Sequence, residues 1–157
     1  MKTRQSQGEG WVVVQVALMG VQLLSVMVKR KQWPAPASCV AGAALVAIAA
    51  ACGLPGTYSL GRNRTPLPEP KEAGKLVTTG IYAHIRHPLY ASVMAAGFGW
   101  ALLWRSGPAL ILAAVQALFL REKAKEEEAR MSVRYPGYSA YAQRVPRFVP
   151  RPGSQGT

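Results

Sequence analysis

Two stretches of this chain, residues 11–28 and 37–55, contain no charged residue at all. Eighteen helical residues rise roughly 27 Å, close to the hydrocarbon thickness of a bilayer. The surface helices of a soluble protein this small carry charge along their outer faces, so two blank runs of this length leave few soluble solutions. Both read as transmembrane helices. The mean hydropathy of +0.08 conceals them, because the basic residues crowd between and after the apolar blocks.

Two further apolar stretches follow. Residues 87–104 hold His87 and then run uncharged to Arg105. Residues 107–120 are short for a span unless flanking Arg and Glu snorkel outward. Ser106-Gly107-Pro108 is a natural turn between the two. Gly97 and Gly99 would let another helix approach the third closely. The expected fold is an all-α integral membrane protein of about four transmembrane helices, the last two a tight hairpin, in one domain. The loop 56–86, rich in Pro, Gly and Thr, reads as non-helical and as an ordered cap over a site. Beyond Leu120 the helical pattern continues over 121–134, with four-residue spacings that suit ion pairs, until Tyr135-Pro136-Gly137 ends it. Tyr138, Tyr141 and Phe148 then read as an amphipathic tail, within 121–157, lying on the membrane face.

Four spans put both termini on one side. That side, with the loop and tail, collects 15 of the 19 Lys and Arg, and the other only Lys29, Arg30, Lys31 and Arg105. The bias places both termini in the cytoplasm, with Lys29–Lys31 as the dissenting group. The net charge of +12 invites a nucleic-acid reading. No zinc-finger spacing or RNP-like strand supports one, and charges flanking apolar spans suit anionic lipid headgroups better. Cys39 and Cys52 lack CxxC spacing and read as packing residues in the second span. The first span is too long for a signal peptide and is closed by Lys29-Arg30-Lys31 without a cleavage site, so it reads as an uncleaved anchor.

The hairpin brings two polar clusters to one membrane face. Arg86-His87-Pro88-Leu89-Tyr90 opens its first arm, and Glu126-Glu127-Glu128 stands just beyond its second. Ionisable groups are costly near lipid, so such a convergence is a functional hypothesis by default. The chain has no Asp, which leaves the glutamates as the side-chain carboxylates available.

Leu60-Gly61-Arg62-Asn63, then Leu76-Val77-Thr78-Thr79-Gly80-Ile81-Tyr82, then the Arg86–Tyr90 motif resemble the isoprenylcysteine carboxyl methyltransferase and phospholipid N-methyltransferase superfamily. Glu127-Glu128 followed by Met131, Tyr135, Tyr138, Tyr141 and Val145-Pro146-Arg147-Phe148-Val149-Pro150 is similar to its C-terminal signature. The resemblance covers residues 56–150. It departs at Tyr135-Pro136, where the family usually has Phe-Gly, and at Tyr138, which comes one residue early.

The resemblance implies S-adenosylmethionine as cofactor, in a pocket formed by the loop, the hairpin ends and the tail. A lipophilic substrate would enter from the bilayer, with isoprenylcysteine carboxyl O-methylation the nearest activity. Arg86, His87 and Tyr90 are the catalytic candidates. Tyr82, His87, Pro88, Tyr90, Glu127 and Glu128 are the cofactor contacts, and Arg86 and Arg144 the substrate contacts; no metal is implied. Each has a plainer reading. His87 can act as a base toward an amine or merely cap a helix that Pro88 opens. Arg86 can clamp a carboxylate or snorkel, and Tyr90 can face the pocket or anchor at the interface. Glu127 and Glu128 can bind ribose hydroxyls or an ammonium, or form a solvated face paired with Arg130 and Lys123. Arg147 and Phe148 close the pocket or only dock the tail. Two other functions compete: an NADPH-dependent membrane reductase of the sterol-reductase type, and a non-catalytic lipid-binding protein.

Overall fold

The computed structural model describes residues 2–61 and 75–151. Among them the chain is helical throughout, with no strand: α1 (Lys2–Val28), α2 (Ala35–Leu60), a 3₁₀ turn (Gly80–Ala83), α3 (Pro88–Trp104), α4 (Gly107–Arg134) and α5 (Tyr138–Arg144). Residues 62–74, which hold the Arg62-Asn63 motif and the proline run of the expected cap, lie outside the described residues.

The portion Glu9–Val28 of α1 and the whole of α2 are long and apolar enough to cross a membrane. Their large side chains point outward: Val16 is 63% exposed, Leu24 64%, Val40 72% and Leu54 73%. Apolar surface on that scale is what lipid, rather than water, would cover. Cys39 and Cys52 are free thiols, half-buried in α2.

Small residues let α2 and α3 pack closely. A Cβ on Gly42 would stand 2.9 Å from the Gly99 carbonyl oxygen, and one on Gly99 would meet the Gly42 oxygen at the same distance. Gly97 instead accommodates the Gln22 side chain of α1, whose Nε2 donates to the Gly97 carbonyl at 2.9 Å. Gln22 is 3% exposed, so this amide joins α1 to the hairpin through a backbone acceptor that lipid could not replace. The turn between α3 and α4 forms where Ser106-Gly107-Pro108 placed it, with Ser106 as N-cap and Pro108 in the first helical turn.

Two expectations are corrected. α2 does not stop at Pro55 but continues through Gly56 to Leu60, so the loop begins at Gly61. Proline costs that helix one backbone bond. Gly56 is buried, however, and a Cβ there would stand 3.1 Å from Pro88 and 3.2 Å from Leu89, so close packing on α3 sustains the helix. The tail turns its aromatic side chains into the protein and not outward: Tyr138, Tyr141 and Val145 are only 3%, 4% and 1% exposed, packed with Leu76, Met131 and Tyr135.

Candidate functional site

α4 runs unbroken past Leu120, so the apolar arm of the hairpin and the Glu127-Glu128 pair belong to one rigid helix. α3 begins at Pro88, which places His87 at its N-cap. The two motifs therefore meet where α3 starts and α4 is still helical. The tail completes the site from the third side. Its backbone pairs with the motif strand-fashion, the Arg86 N–H donating to the Pro146 carbonyl at 2.9 Å and the His87 N–H to the Arg147 carbonyl at 3.0 Å.

Glu128 is the hub. Its Oε1 accepts from Arg86 Nε at 3.2 Å and Nη2 at 3.0 Å, from His87 Nε2 at 3.0 Å and from Arg147 Nε at 2.9 Å. Its Oε2 accepts from Arg147 Nη2 at 2.6 Å, which makes that pair bidentate. Burial by itself would raise the Glu128 pKa. The hydrogen bonds from His87 and Arg147, with the charges of His87 and Arg86, outweigh it and hold the carboxyl well below the usual range. An ionised Glu128 offers acceptors only, so His87 must carry its proton on Nε2.

Glu127 is engaged differently. Its Oε2 accepts from the Tyr90 hydroxyl at 2.9 Å and lies 3.7 Å from His87 Nδ1. No hydrogen bond reaches its Oε1 among the described residues, and the side chain is 27% exposed. The His87 and Tyr90 rings stack 5.2 Å apart at 7°, with Phe148 tilted against His87 at 5.9 Å. The result, among the described residues, is a carboxylate with one oxygen unpartnered, beside three aromatic rings.

Arg86 turns its guanidinium inward. Besides Glu128 it donates through Nη1 to the carbonyls of Ala142 and, at 2.6 Å, Val145, which ties α5 to the site. The Tyr82 side chain is buried, and its backbone carbonyl accepts from the Tyr141 hydroxyl at 2.6 Å. Burial first, and the charge of Glu127 second, push the Tyr82 phenol up to about 12. Pro88 is buried in the first turn of α3. Arg144 is exposed at the end of α5 and stands apart from the cluster. The His87 side chain makes no capping hydrogen bond, so it is free of the helix-end role that its position allows. The expected helical pair forms beside the cluster, with Arg130 Nη2 3.0 Å from Glu126.

Sequence reasoning missed Lys123 and Gln15. Lys123 is 2% exposed, its Nζ donating to Gln15 Oε1 at 2.7 Å and lying 5.6 Å from the centre of the Tyr90 ring. Burial lowers its pKa, partly opposed by the charge of Glu127. Its partner is 108 positions away, so no local pattern could have linked them. The four-residue step from Lys123 to Glu127 was the available signal, and it was read as a solvated face.

The pattern of motifs and their meeting point agrees with a comparison against known families, where the phospholipid methyltransferase model matches residues 37–137. The chain belongs to that family. It is thereby a member of the superfamily of membrane methyltransferases that includes the isoprenylcysteine carboxyl methyltransferases. Enzymes of the phospholipid methyltransferase family generally draw on S-adenosylmethionine. Two curated relatives are similar over part of their length. The nickel-cobalt-cadmium resistance protein NccN of Alcaligenes xylosoxydans xylosoxydans is 35% identical over 82 residues, 52% of this chain and 38% of that protein. The cobalt-zinc-cadmium resistance protein CzcN of Cupriavidus metallidurans is 32% identical over 77 residues, 48% of this chain and 36% of that protein. The matched stretch thus spans little more than a third of either relative. Among the described residues no group of three or more His, Cys, Asp or Glu is arranged to hold a metal ion.

The acid response of this site follows from Glu128. Its folded-state pKa lies below the ordinary 4.5, so its contribution to stability is complete above that value and is lost as pH falls toward the folded one. Unfolding in detergent should therefore be insensitive to Glu128 from neutral pH to about 5 and grow easier below it. Glu128→Gln should flatten that acid limb. A limb equally steep in the variant would assign it to other groups.

Proposed function

We propose that the phospholipid methyltransferase-family chain transfers a methyl group from S-adenosylmethionine to a lipophilic acceptor at the membrane interface. Isoprenylcysteine carboxyl O-methylation is the nearest activity. The apolar stretches 11–28, 37–55, 87–104 and 107–120 span the bilayer, both termini face the cytoplasm, and residues 1–157 act as one domain. The observation that carries this reading is Glu127, bound by Tyr90 through Oε2 and with Oε1 unpartnered among the described residues, beside the Tyr90, His87 and Phe148 rings at the mouth of an apolar hairpin.

The residues present suit the cofactor. Glu127 Oε1 is an acceptor for a ribose hydroxyl or the cofactor's ammonium group, and the aromatic faces suit a sulfonium. Glu128, with both oxygens occupied, sets the pocket's shape, which makes Glu127 the cofactor contact of the two. Tyr82 and Pro88 form its wall. S-adenosylmethionine, when bound, supplies the electrophilic methyl group. The protein's part is to orient the acceptor in line and exclude water. His87 presents Nε2–H to Glu128, so Nδ1 is the atom left to take a proton from an amine acceptor; a carboxylate acceptor needs no base. Arg86 acts by holding the tail closed, and Arg144 meets the substrate from the rim.

Calorimetric titration of the detergent-purified chain with S-adenosylhomocysteine and, separately, NADPH tests this. Binding of the first alone is expected, weakened roughly tenfold or more in Glu127→Ala, as loss of a charged hydrogen bond of about 1.5–3 kcal/mol requires. NADPH binding without it would replace the methyltransferase reading by a reductase.

A further inference from the structure

The end of the bundle opposite the glutamates gathers four cations and two tryptophans, Trp33 and Trp104. Lys29, Arg30 and Lys31 follow α1, and Arg105 follows α3. The described carboxylates lie elsewhere. Glu9 is 20 residues before Lys29 on α1, roughly 30 Å of helix, and the other four begin 15 residues along α4 from its start at Gly107.

This end is also fixed in place. The Lys31 N–H donates to the Trp104 carbonyl and the Gln32 N–H to the Arg105 carbonyl, both at 3.0 Å. Arg105 Nη1 donates to the Trp33 carbonyl at 2.8 Å, and the Arg30 guanidinium lies 5.8 Å from the centre of the Trp104 ring. Lys31 and Arg105 are the two described non-glycine residues with positive φ, at 59° and 54°. Glycine takes up that left-handed conformation without strain and is the usual residue after a helix. Here both strained positions carry a long cationic side chain. Strain retained at two cations side by side points to a use for the charges.

Immediately inward from these cations the helices are apolar and outward-facing, with Met27 78% and Val28 79% exposed. A ligand seated here meets positive charge above and hydrocarbon-like surface below, which is the amphiphilic pattern of a phospholipid and not of a soluble anion. We propose that this end binds the phosphate of an anionic phospholipid through Lys31, Arg30 and Arg105, with Trp104 at the level of the glycerol. The site is independent of the methyltransferase reading. It also accounts for the one basic group that opposes the charge bias of the chain.

The test uses the full chain with Trp11→Phe, which removes the tryptophan of the opposite end, in phosphatidylcholine bilayers. Headgroup-nitroxide phosphatidylglycerol should quench the remaining tryptophans at several-fold lower mole fraction than the same label on phosphatidylcholine. Lys31→Gly should reduce that preference roughly fivefold, as should Arg30→Gln, the expectation for one interfacial charge each. Glycine suits the backbone at 31, so the melting temperature should hold or rise in Lys31→Gly, which separates lost lipid from lost fold. Equal quenching by both lipids would overturn the proposal, as would a preference that survives both substitutions together. Cancellation of the preference by millimolar inorganic phosphate would overturn it too, by making this a free-phosphate site.

Discussion

Glu128→Ala is expected to destabilise the protein by about 3–5 kcal/mol and to free its C-terminal segment. The carboxylate is 13% exposed, neutralises Arg147 and the 10% exposed Arg86, and accepts a hydrogen bond from His87 Nε2. Removing it leaves two guanidinium groups without their shared anion and the buried His87 without its acceptor. The segment from α5 to Arg147 is tied to the helices through this same knot, because Arg147 grips Glu128 while Arg86 grips the α5 carbonyls. Hydrogen exchange should therefore quicken at 138–147 while the amides of α2 and α3 remain protected. Uniform loss of protection along the chain would mean that the knot holds the whole bundle.

The second large effect belongs to the α2–α3 contact. Gly99→Val should separate these helices, because the added Cβ meets backbone, at 2.9 Å from the Gly42 oxygen and 3.1 Å from the Val46 nitrogen. Overpacking of this kind costs about 1–3 kcal/mol even where side chains can yield, and backbone yields less. Gly97→Ala should be milder, since the new carbon would meet only the Gln22 amide at 3.0 Å. Gly20→Ala, with nothing within 4 Å, should be neutral or stabilising by about 0.5–1 kcal/mol. Thermal unfolding of the three variants in one detergent checks the order. A Gly99→Val chain as stable as the parent would show that α2 and α3 can part at little cost.

These residues also show what the sequence could reveal. The charge-free runs marked α1 and α2 because absence of charge over 18 residues is a local property with one main explanation. Ser106-Gly107-Pro108 marked the hairpin for the same reason, and Gly99 marked the close approach without naming its partner. The ends of elements were less legible. Pro55 reads as a stop, yet α2 passes through it because Gly56 seats against Pro88 and Leu89, a contact more than 30 positions away. The tail tyrosines read as interfacial because an aromatic with a hydroxyl suits a bilayer surface equally well as a protein interior. Distant partners decide between them, Leu76 packing on the tail and the Tyr82 carbonyl accepting from Tyr141. Arg86, His87, Tyr90, Glu127 and Glu128 were grouped by a hairpin argument, and the structure brings them together. Their division of labour was not legible, since it depends on which oxygen each proton reaches.

The continuity of α4 has one more consequence. Glu127 stands seven residues beyond Leu120 on the same continuous helix, a rise of roughly 10 Å above the apolar arm. For an acceptor anchored in the bilayer, this helix is a depth gauge. Compounds with the same reactive group but different spacers between that group and their hydrocarbon anchor would differ in reach before they differed in fit.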